Sequence, residues 1–257
     1  LNFFENKPLF GKNIMVTRSR SQNSKLVEQI MDLGGNPIEI PTIKIEKVQD
    51  NKELENEIKN IKDYTYLVLT SKNGVDIFFD KLDELGLDCR ALANIKVCSI
   101  GAATSKAIQR RGIKPDIQPK NAVGESLYDE LKDIVTKDDK ILIPRAKNAR
   151  KFLVEKLNEI SNVTEVITYE SVMDDSKKEE AIKALEEGNL DYITFASSST
   201  VTNFINLIGE ENKDKLSNTK IISIGRITTK TILDNNLEVY KQAENASIES
   251  MIEAMSE

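Results

Sequence analysis

Residues 66–82 read YLVLTSKNGVDIFFDKL, and residues 192–208 read YITFASSSTVTNFINLI. The two stretches share one grammar. An apolar run (66–69, 192–195) has the length of a buried strand, and a short Ser/Thr/Asn loop follows it. Apolar residues then recur at helical spacing: Val75, Phe78, Phe79 and Leu82 in one copy, Val201, Phe204, Ile205 and Ile208 in the other. Ser71 and Ser197 stand 126 positions apart. Loop residues of this kind cap helices, so each helix opens with hydroxyls and free N–H groups at the C-terminal end of a strand. Anions bind at such places.

The likeness extends outward. SIGAATSKAI (99–108) matches SIGRITTKTI (223–232), with Gly101 and Gly225 124 positions apart. KNIMVTRSRSQNSKLVEQI (12–30) is similar to DKILIPRAKNARKFLVEKL (139–157), with Arg18 and Arg145 127 apart. One nearly constant offset makes the chain two copies of a unit of roughly 125 residues, too long for a solenoid repeat and suited to a duplicated domain. Strands alternate with helices throughout, which implies α/β architecture: parallel sheets covered by helices on both faces. The run PIEIPTIKI (37–45) alternates and holds two prolines, so it reads as an extended connector or edge strand. VTEVITYESV (163–172) also reads as extended. Short strands are expected at 116–118 and 237–240. Leu127, Leu131, Ile134 and Val135 mark a helix, and the charged run 176–180 reads as a solvated helix start. Periodicity alone divides the chain into contiguous halves near Thr136.

Composition narrows the chemistry. The 257 residues are 39% hydrophobic and 30% charged, with a net charge of −6. That describes a soluble globular chain that does not attract nucleic acid in bulk. No apolar run approaches ~18 residues, so no membrane span is expected. Cys89 and Cys98 are the two cysteines, and a disulfide is not expected in a reducing cytoplasm. Cys98 reads as a core residue. There is no histidine. This removes Ser–His–Asp and Cys–His catalysis, histidine metal ligation and histidine proton shuttling. An enzyme built on this chain works with hydroxyls, carboxylates, lysines, arginines, tyrosines and main-chain dipoles. No metal or cofactor is expected, and no G-x-G-x-x-G follows a strand.

Seven short blocks, in this order, resemble the uroporphyrinogen-III synthase family: VTR (16–18), TSKNGV (70–75), IGAAT (100–104), RAKNAR (145–150), VITYE (166–170), FASSST (195–200) and IGRIT (224–228). Each is weak alone; their order and spacing together are specific. The family's turns often carry Pro after Gly, where this chain has Ala102 and Arg226. The resemblance implies two similar α/β domains, each a parallel sheet flanked by helices, joined by a two-stranded connector. It implies that one domain is discontinuous, 1–36 plus 171–257, that 46–162 forms the other, and that 37–45 and 163–170 are the connectors. The activity it implies is closure of hydroxymethylbilane, a linear tetrapyrrole with eight carboxylates, with loss of water and inversion of the last pyrrole ring, without cofactor. A cytoplasmic monomer with this small-molecule substrate is expected. The opening LNFFENKPLFGKN (1–13) resembles the junction of fused enzymes that carry a uroporphyrinogen methyltransferase upstream.

That substrate also closes unaided to the non-inverted isomer, so the protein needs chiefly to hold one conformer and exclude water. Main-chain donors at several helix starts suit many carboxylates. The candidate substrate-binding residues are Arg18, Thr70, Ser71, Asn73, Gly101, Thr104, Arg145, Ser197, Ser198, Ser199, Gly225 and Thr228. The hydroxyls also serve as plain helix caps, the glycines as tight turns, and the arginines as surface residues. Tyr169 is the candidate acid for the departing hydroxyl, with packing in a connector as the rival reading. A non-catalytic, two-lobed sensor of small anions is the competing function.

Overall fold

The computed structural model describes residues 7–18 and 20–256, with the side chains of 20–24 left aside. Two compact units emerge: the segment up to Lys44 together with that from Val172 onward, and Ile45–Ser171. In chain order the elements are β1 (Asn13–Val16), α1 (Arg20–Asp32), β2 (Asn36–Glu39), β3 (Ile43–Lys47), α2 (Lys52–Lys59), β4 (Tyr66–Leu69), α3 (Lys72–Glu84), β5 (Lys96–Ser99), α4 (Ala102–Arg110) and α5 (Gly124–Leu131). There follow β6 (Lys140–Ala146), α6 (Phe152–Ile160), β7 (Asn162–Met173), α7 (Lys178–Glu186), β8 (Tyr192–Phe195), α8 (Ser198–Ile208), β9 (Lys220–Ser223), α9 (Arg226–Asp234), β10 (Lys241–Gln242) and α10 (Ile248–Ser256).

The first unit holds a sheet ordered β10-β9-β8-β1-β2, parallel at every pairing. Numbered along the chain, its strands lie 2-1-3-4-5, a doubly wound order. Ile14 of β1 lies against Tyr192 of β8, although 178 residues separate them. Pro37 sits in β2, the edge strand, where its missing N–H leaves no ladder bond unmade. Alternate residues feed opposite faces, as strand geometry requires. Met15, Ile193 and Phe195 pack with Ala181, Phe204 and Ile205 of α7 and α8. Ile14, Val16 and Tyr192 pack with Leu26, Ile30 and Met251 of α1 and α10.

The second unit is ordered β3-β7-β6-β4-β5, and β6-β7, β4-β6 and β4-β5 are parallel. With β6 and β7 taken as the first and second strands, it repeats the first four places of that order and adds one edge strand, β3. Asp174 N–H donates to Thr42 C=O and Val48 N–H to Thr168 C=O, each at 3.0 Å, so β3 runs antiparallel to β7. Both passages of the chain from one unit to the other fall within this pair. Leu67, Leu69 and Leu142 face α2, α3 and α4 through Ile58, Phe78 and Ile108. Tyr66, Val68 and Ile141 face α5 and α6 through Leu127 and Leu157. Phe78 is fully buried, worth about 1.5–3 kcal/mol relative to exposure.

Three details depart from the sequence reading. Residues 163–170, expected as a connector, pair with β6 from Lys140↔Asn162 to Ala146↔Tyr169 and make β7 an inner strand. The reason is burial: Val166 and Thr168 are fully covered. The strand expected at 237–240 forms at Lys241–Gln242, because Leu237 is drawn into the core and the ladder begins only at Ile222. At 116–118 a single bridge, Cys98↔Ile117, stands in place of a strand. Of the opening 1–13, residues 1–6 lie outside the described residues; Leu9 is fully buried in the core and donates its N–H to Leu33 C=O.

Candidate functional site

In a doubly wound sheet, the loops leaving the first and third strands diverge to opposite faces, and ligands bind in the crevice outside their C-terminal ends. Here those strands are β1 and β8 in one unit, β6 and β4 in the other. At these strand ends and the helix starts that follow stand Arg18 and residues 197–199 in the first case, and Arg145, next to last in β6, with residues 70–73 in the second. The glycine turns after β9 and β5 come next along each sheet.

Ser71 caps α3: its Oγ accepts Gly74 N–H at 3.0 Å. The same Oγ lies 2.7 Å from the hydroxyl of Tyr169, which stands at the end of β7's pairing with β6 and is 5% exposed. Sequence reading named both residues without placing them together. Their partnership follows from the sheet order, which no local pattern reveals. Ser197 caps α8, accepting Thr200 N–H at 3.2 Å, and its Oγ lies 2.6 Å from Thr200 Oγ1 and 3.1 Å from Ser199 Oγ. Ser198 Oγ donates to Ile227 C=O at 3.1 Å, tying the start of α8 to the first turn of α9. Asn73 is exposed in the first turn of α3, and Thr70 is half-buried. Arg18, half-buried, ends the described run after β1.

Arg145 is 3% exposed and turned inward. Its guanidinium donates to Glu165 on β7 at 3.0 Å and to the carbonyls of Ala149 and Arg150. The surface reading does not hold, and the guanidinium already has protein partners. The side chain builds the loop after β6. With Thr70, Val123, Gly124 and Phe152 it lines a cavity of about 280 Å³ at this end of the sheet. Larger cavities lie away from both switch points, for example along 216–221 and 236–240.

Gly101 and Gly225 are the N-caps of α4 and α9, both with extended backbone and without a side-chain cap. Thr104 and Thr228, read as caps, instead sit inside the first helical turn. Each is 4% exposed, and among the described residues neither hydroxyl has a hydrogen-bond partner. A chain of polar groups that the sequence reading missed holds each turn. Ser99 Oγ accepts Gly101 N–H at 3.2 Å and lies 2.6 Å from Ser105 Oγ, which donates to Gln118 Oε1 at 2.6 Å. Ser223 Oγ accepts Gly225 N–H at 3.4 Å, and Thr229 Oγ1 lies 2.9 Å from Ser223 Oγ and 2.8 Å from Gln242 Oε1. All three pairs, Ser99/Ser223, Ser105/Thr229 and Gln118/Gln242, are 124 apart, a signal visible once the repeat is carried into the loops.

A second missed signal is a shortage of acid. Helix N-termini carry positive partial charge, and Asp or Glu in the first turn normally answers it. α2, α5, α6, α7 and α10 have such residues. α1, α3, α4, α8 and α9 have none. These five open after β1, β4, β5, β8 and β9, at or beside the two switch points. Shifted ionisations lie elsewhere. Burial pushes the Cys98 thiol up to about 12, and a hydrogen bond from Arg150 holds the Glu125 carboxyl below the usual range. Among the described residues, no three His, Cys, Asp or Glu side chains cluster, and no helix is long and apolar enough to cross a membrane.

Two doubly wound units with acid-free helix starts at or beside their switch points define an α/β protein whose backbone donors can receive anions there. Residues 24–253 match the family model described as uroporphyrinogen-III synthase HemD. The porphyrin biosynthesis protein HemD of Ruminiclostridium josui is 35% identical over all of this chain, which spans half of that relative's length. The uroporphyrinogen-III synthase of Synechococcus elongatus is 27% identical over 98% of this chain and 97% of its own. A mutant uroporphyrinogen III synthase from the extremely thermophilic bacterium Thermus thermophilus superposes with a TM-score of 0.62 at 18% identity, covering 94% of this chain and 96% of its own, a likeness of fold. The chain belongs to the uroporphyrinogen-III synthase family, cyclising lyases of tetrapyrrole biosynthesis.

Proposed function

We propose that this chain converts hydroxymethylbilane to uroporphyrinogen III, with loss of water, ring closure and inversion of the last pyrrole ring. The observation that carries the reading is the set of five helix starts without acidic residues, α1, α3, α4, α8 and α9. Each offers N–H donors and a dipole to a carboxylate without adding net positive charge. Arg18, Thr70, Ser71, Asn73, Gly101, Thr104, Ser197, Ser198, Ser199, Gly225 and Thr228 take the carboxylates. The buried hydroxyls of Thr104 and Thr228, left without protein partners among the described residues, are the ones a bound carboxylate would satisfy. Arg145 acts on the substrate through the loop it holds.

Catalysis by this arrangement is conformational. The leaving hydroxyl departs readily on its own, so the gain lies in fixing the geometry in which the last ring closes inverted. Tyr169 donates the proton that leaves with the hydroxyl as water, and Ser71, 2.7 Å away, orients the phenol. The enzyme is read as a cytoplasmic monomer. A methyltransferase fused upstream belongs to the same reading; what supports it is a 25% identical match to 42% of the uroporphyrinogen-III C-methyltransferase of Bacillus subtilis. Mixing the protein with freshly generated hydroxymethylbilane and resolving the isomers tests the reaction. Isomer III in excess of the spontaneous isomer I is expected. Isomer I alone, with the tetrapyrrole still bound, would favour the sensor.

A further inference from the structure

α9 begins with an arginine. A cation in the first turn of a helix opposes the dipole, yet Arg226 is the first helical residue, is exposed, and forms no ion pair among the described residues. Ile227, next to it, is 79% exposed, the highest value among the large apolar residues described. The cap before them, Gly225, is open: a Cβ built there meets nothing within 4 Å. In the same turn lies Thr228, buried and without a hydrogen-bond partner among the described residues. Ser198 holds the turn from the other side through Ile227 C=O, at 3.1 Å.

The equivalent turn of the other unit shares the buried threonine without a partner among the described residues, Thr104, and differs in the rest. Alanines 102 and 103 stand where Arg226 and Ile227 do, and a Cβ on Gly101 would come within 2.6 Å of Ala122 Cβ. The scaffold does not require an arginine and an isoleucine here, because its own duplicate manages with two alanines. A cation against the dipole and a buried hydroxyl, both without partners among the described residues, coincide with a solvent-facing isoleucine and an open cap in four consecutive residues.

We infer that Arg226 and Ile227 are substrate contacts that set affinity. The guanidinium forks one carboxylate of the tetrapyrrole while Thr228 and the helix-start N–H groups take a neighbouring one. Ile227 packs on the pyrrole ring that carries them. On a chain of net charge −6, approached by an octacarboxylate, one unpaired guanidinium in the binding turn also governs encounter. The inference rests on the function proposed above.

The test uses the full chain, steady-state isomer III formation, and fluorescence titration with uroporphyrin, itself an octacarboxylate tetrapyrrole. Arg226→Ala should raise KM about tenfold with kcat within about twofold, the pattern of lost uniform binding. Arg226→Glu should raise KM further and flatten the salt dependence of kcat/KM. It should also raise Tm by about 1–2 °C, because an acid answers the dipole that arginine opposes. Arg226→Lys should recover part of the affinity, and Ile227→Ser should weaken uroporphyrin binding a few-fold. An unchanged KM and salt dependence in folded Arg226→Glu would overturn the inference, as would a lowered Tm accompanied by a matching loss of kcat. A wild-type protein that binds uroporphyrin through Arg226 yet makes no isomer III would remove the proposed reaction and leave the contact standing.

Discussion

The glycine turns at 101 and 225 hold equivalent places in the repeat; they share an extended cap, a buried threonine and the residues that brace them, and they differ in what surrounds the cap. Both are braced by a serine, a hydroxyl residue and a glutamine at the same spacing. Around that brace, one turn is closed by Ala122 and lined with alanines, whereas the other is open and carries Arg226 and Ile227. The arginines at the ends of the first strands differ in burial. Arg145 is buried on Glu165 and two carbonyls, while Arg18 is half-buried at the end of β1. Duplication has conserved the parts that aim backbone donors and released the parts around them. A residue's place in a repeated motif therefore does not fix its role; burial and partners do.

The largest effect expected from this contrast is at Arg145. Arg145→Ala strands Glu165 and two loop carbonyls, and removing one partner of a buried pair costs about 3 kcal/mol. Urea unfolding should show the midpoint fall, while KM of the remaining folded enzyme changes little. An unmoved midpoint with a raised KM would return Arg145 to carboxylate binding and erase the contrast with the other unit.

Next are the glycines themselves. Both have extended φ, so neither is strained by a side chain, and space alone decides. Gly101→Ala must push Ala122 away and should cost about 1–3 kcal/mol, the usual range for overpacking. Gly225→Ala meets nothing and should lie within about 0.5 kcal/mol of the parent. Ala122→Gly added to Gly101→Ala should recover most of the loss, a coupling that a double-mutant cycle measures. Equal costs at 101 and 225 would mean that the two turns are alike after all.

Much of this was legible in the chain. The strand–loop–helix grammar of 66–82 and 192–208 placed two strands, two helices and both serine caps, because those signals are local. The offset near 125 revealed the duplication. What local reading could not supply was β1 beside β8, since the periodicity of contiguous halves is equally compatible with a swap of first strands; only the family resemblance suggested it. The Ser71–Tyr169 partnership, 98 residues apart, depends on that same sheet order. The burial of Arg145 is not legible because its partner, Glu165, lies on a strand whose local pattern reads as a connector. The shortage of acid in five first turns was readable from sequence but becomes a pattern only when the helices are sorted by the strand they follow.

The smallest and most diagnostic effect concerns Tyr169. Its position in the duplication falls on Thr42, 127 residues earlier, which is 2% exposed and has no side-chain hydrogen-bond partner among the described residues. One unit thus carries a phenol bonded to its cap serine, where the other carries a short hydroxyl. If the phenol is there to pack, Tyr169→Phe keeps the ring and loses one hydrogen bond, about 1 kcal/mol of stability, with little change in rate. If it supplies the proton, general acid catalysis is worth roughly 10²–10⁴-fold in ordinary cases. A substrate that sheds its hydroxyl unaided needs less help, so the expected loss is about tenfold in isomer III formation, near 1.4 kcal/mol. Ser71→Ala should reproduce part of this loss and also weaken the α3 cap by about 1 kcal/mol. Thr42→Val, which removes the hydroxyl at the equivalent position, should leave the rate within about twofold and stability within about 1 kcal/mol, since no bond is lost. Full activity in Tyr169→Phe would return the tyrosine to packing and make the two positions equivalent. Activity no higher than the unaided reaction, in a folded protein, would make Tyr169 the indispensable acid and would end the view that the helix starts carry most of the catalysis.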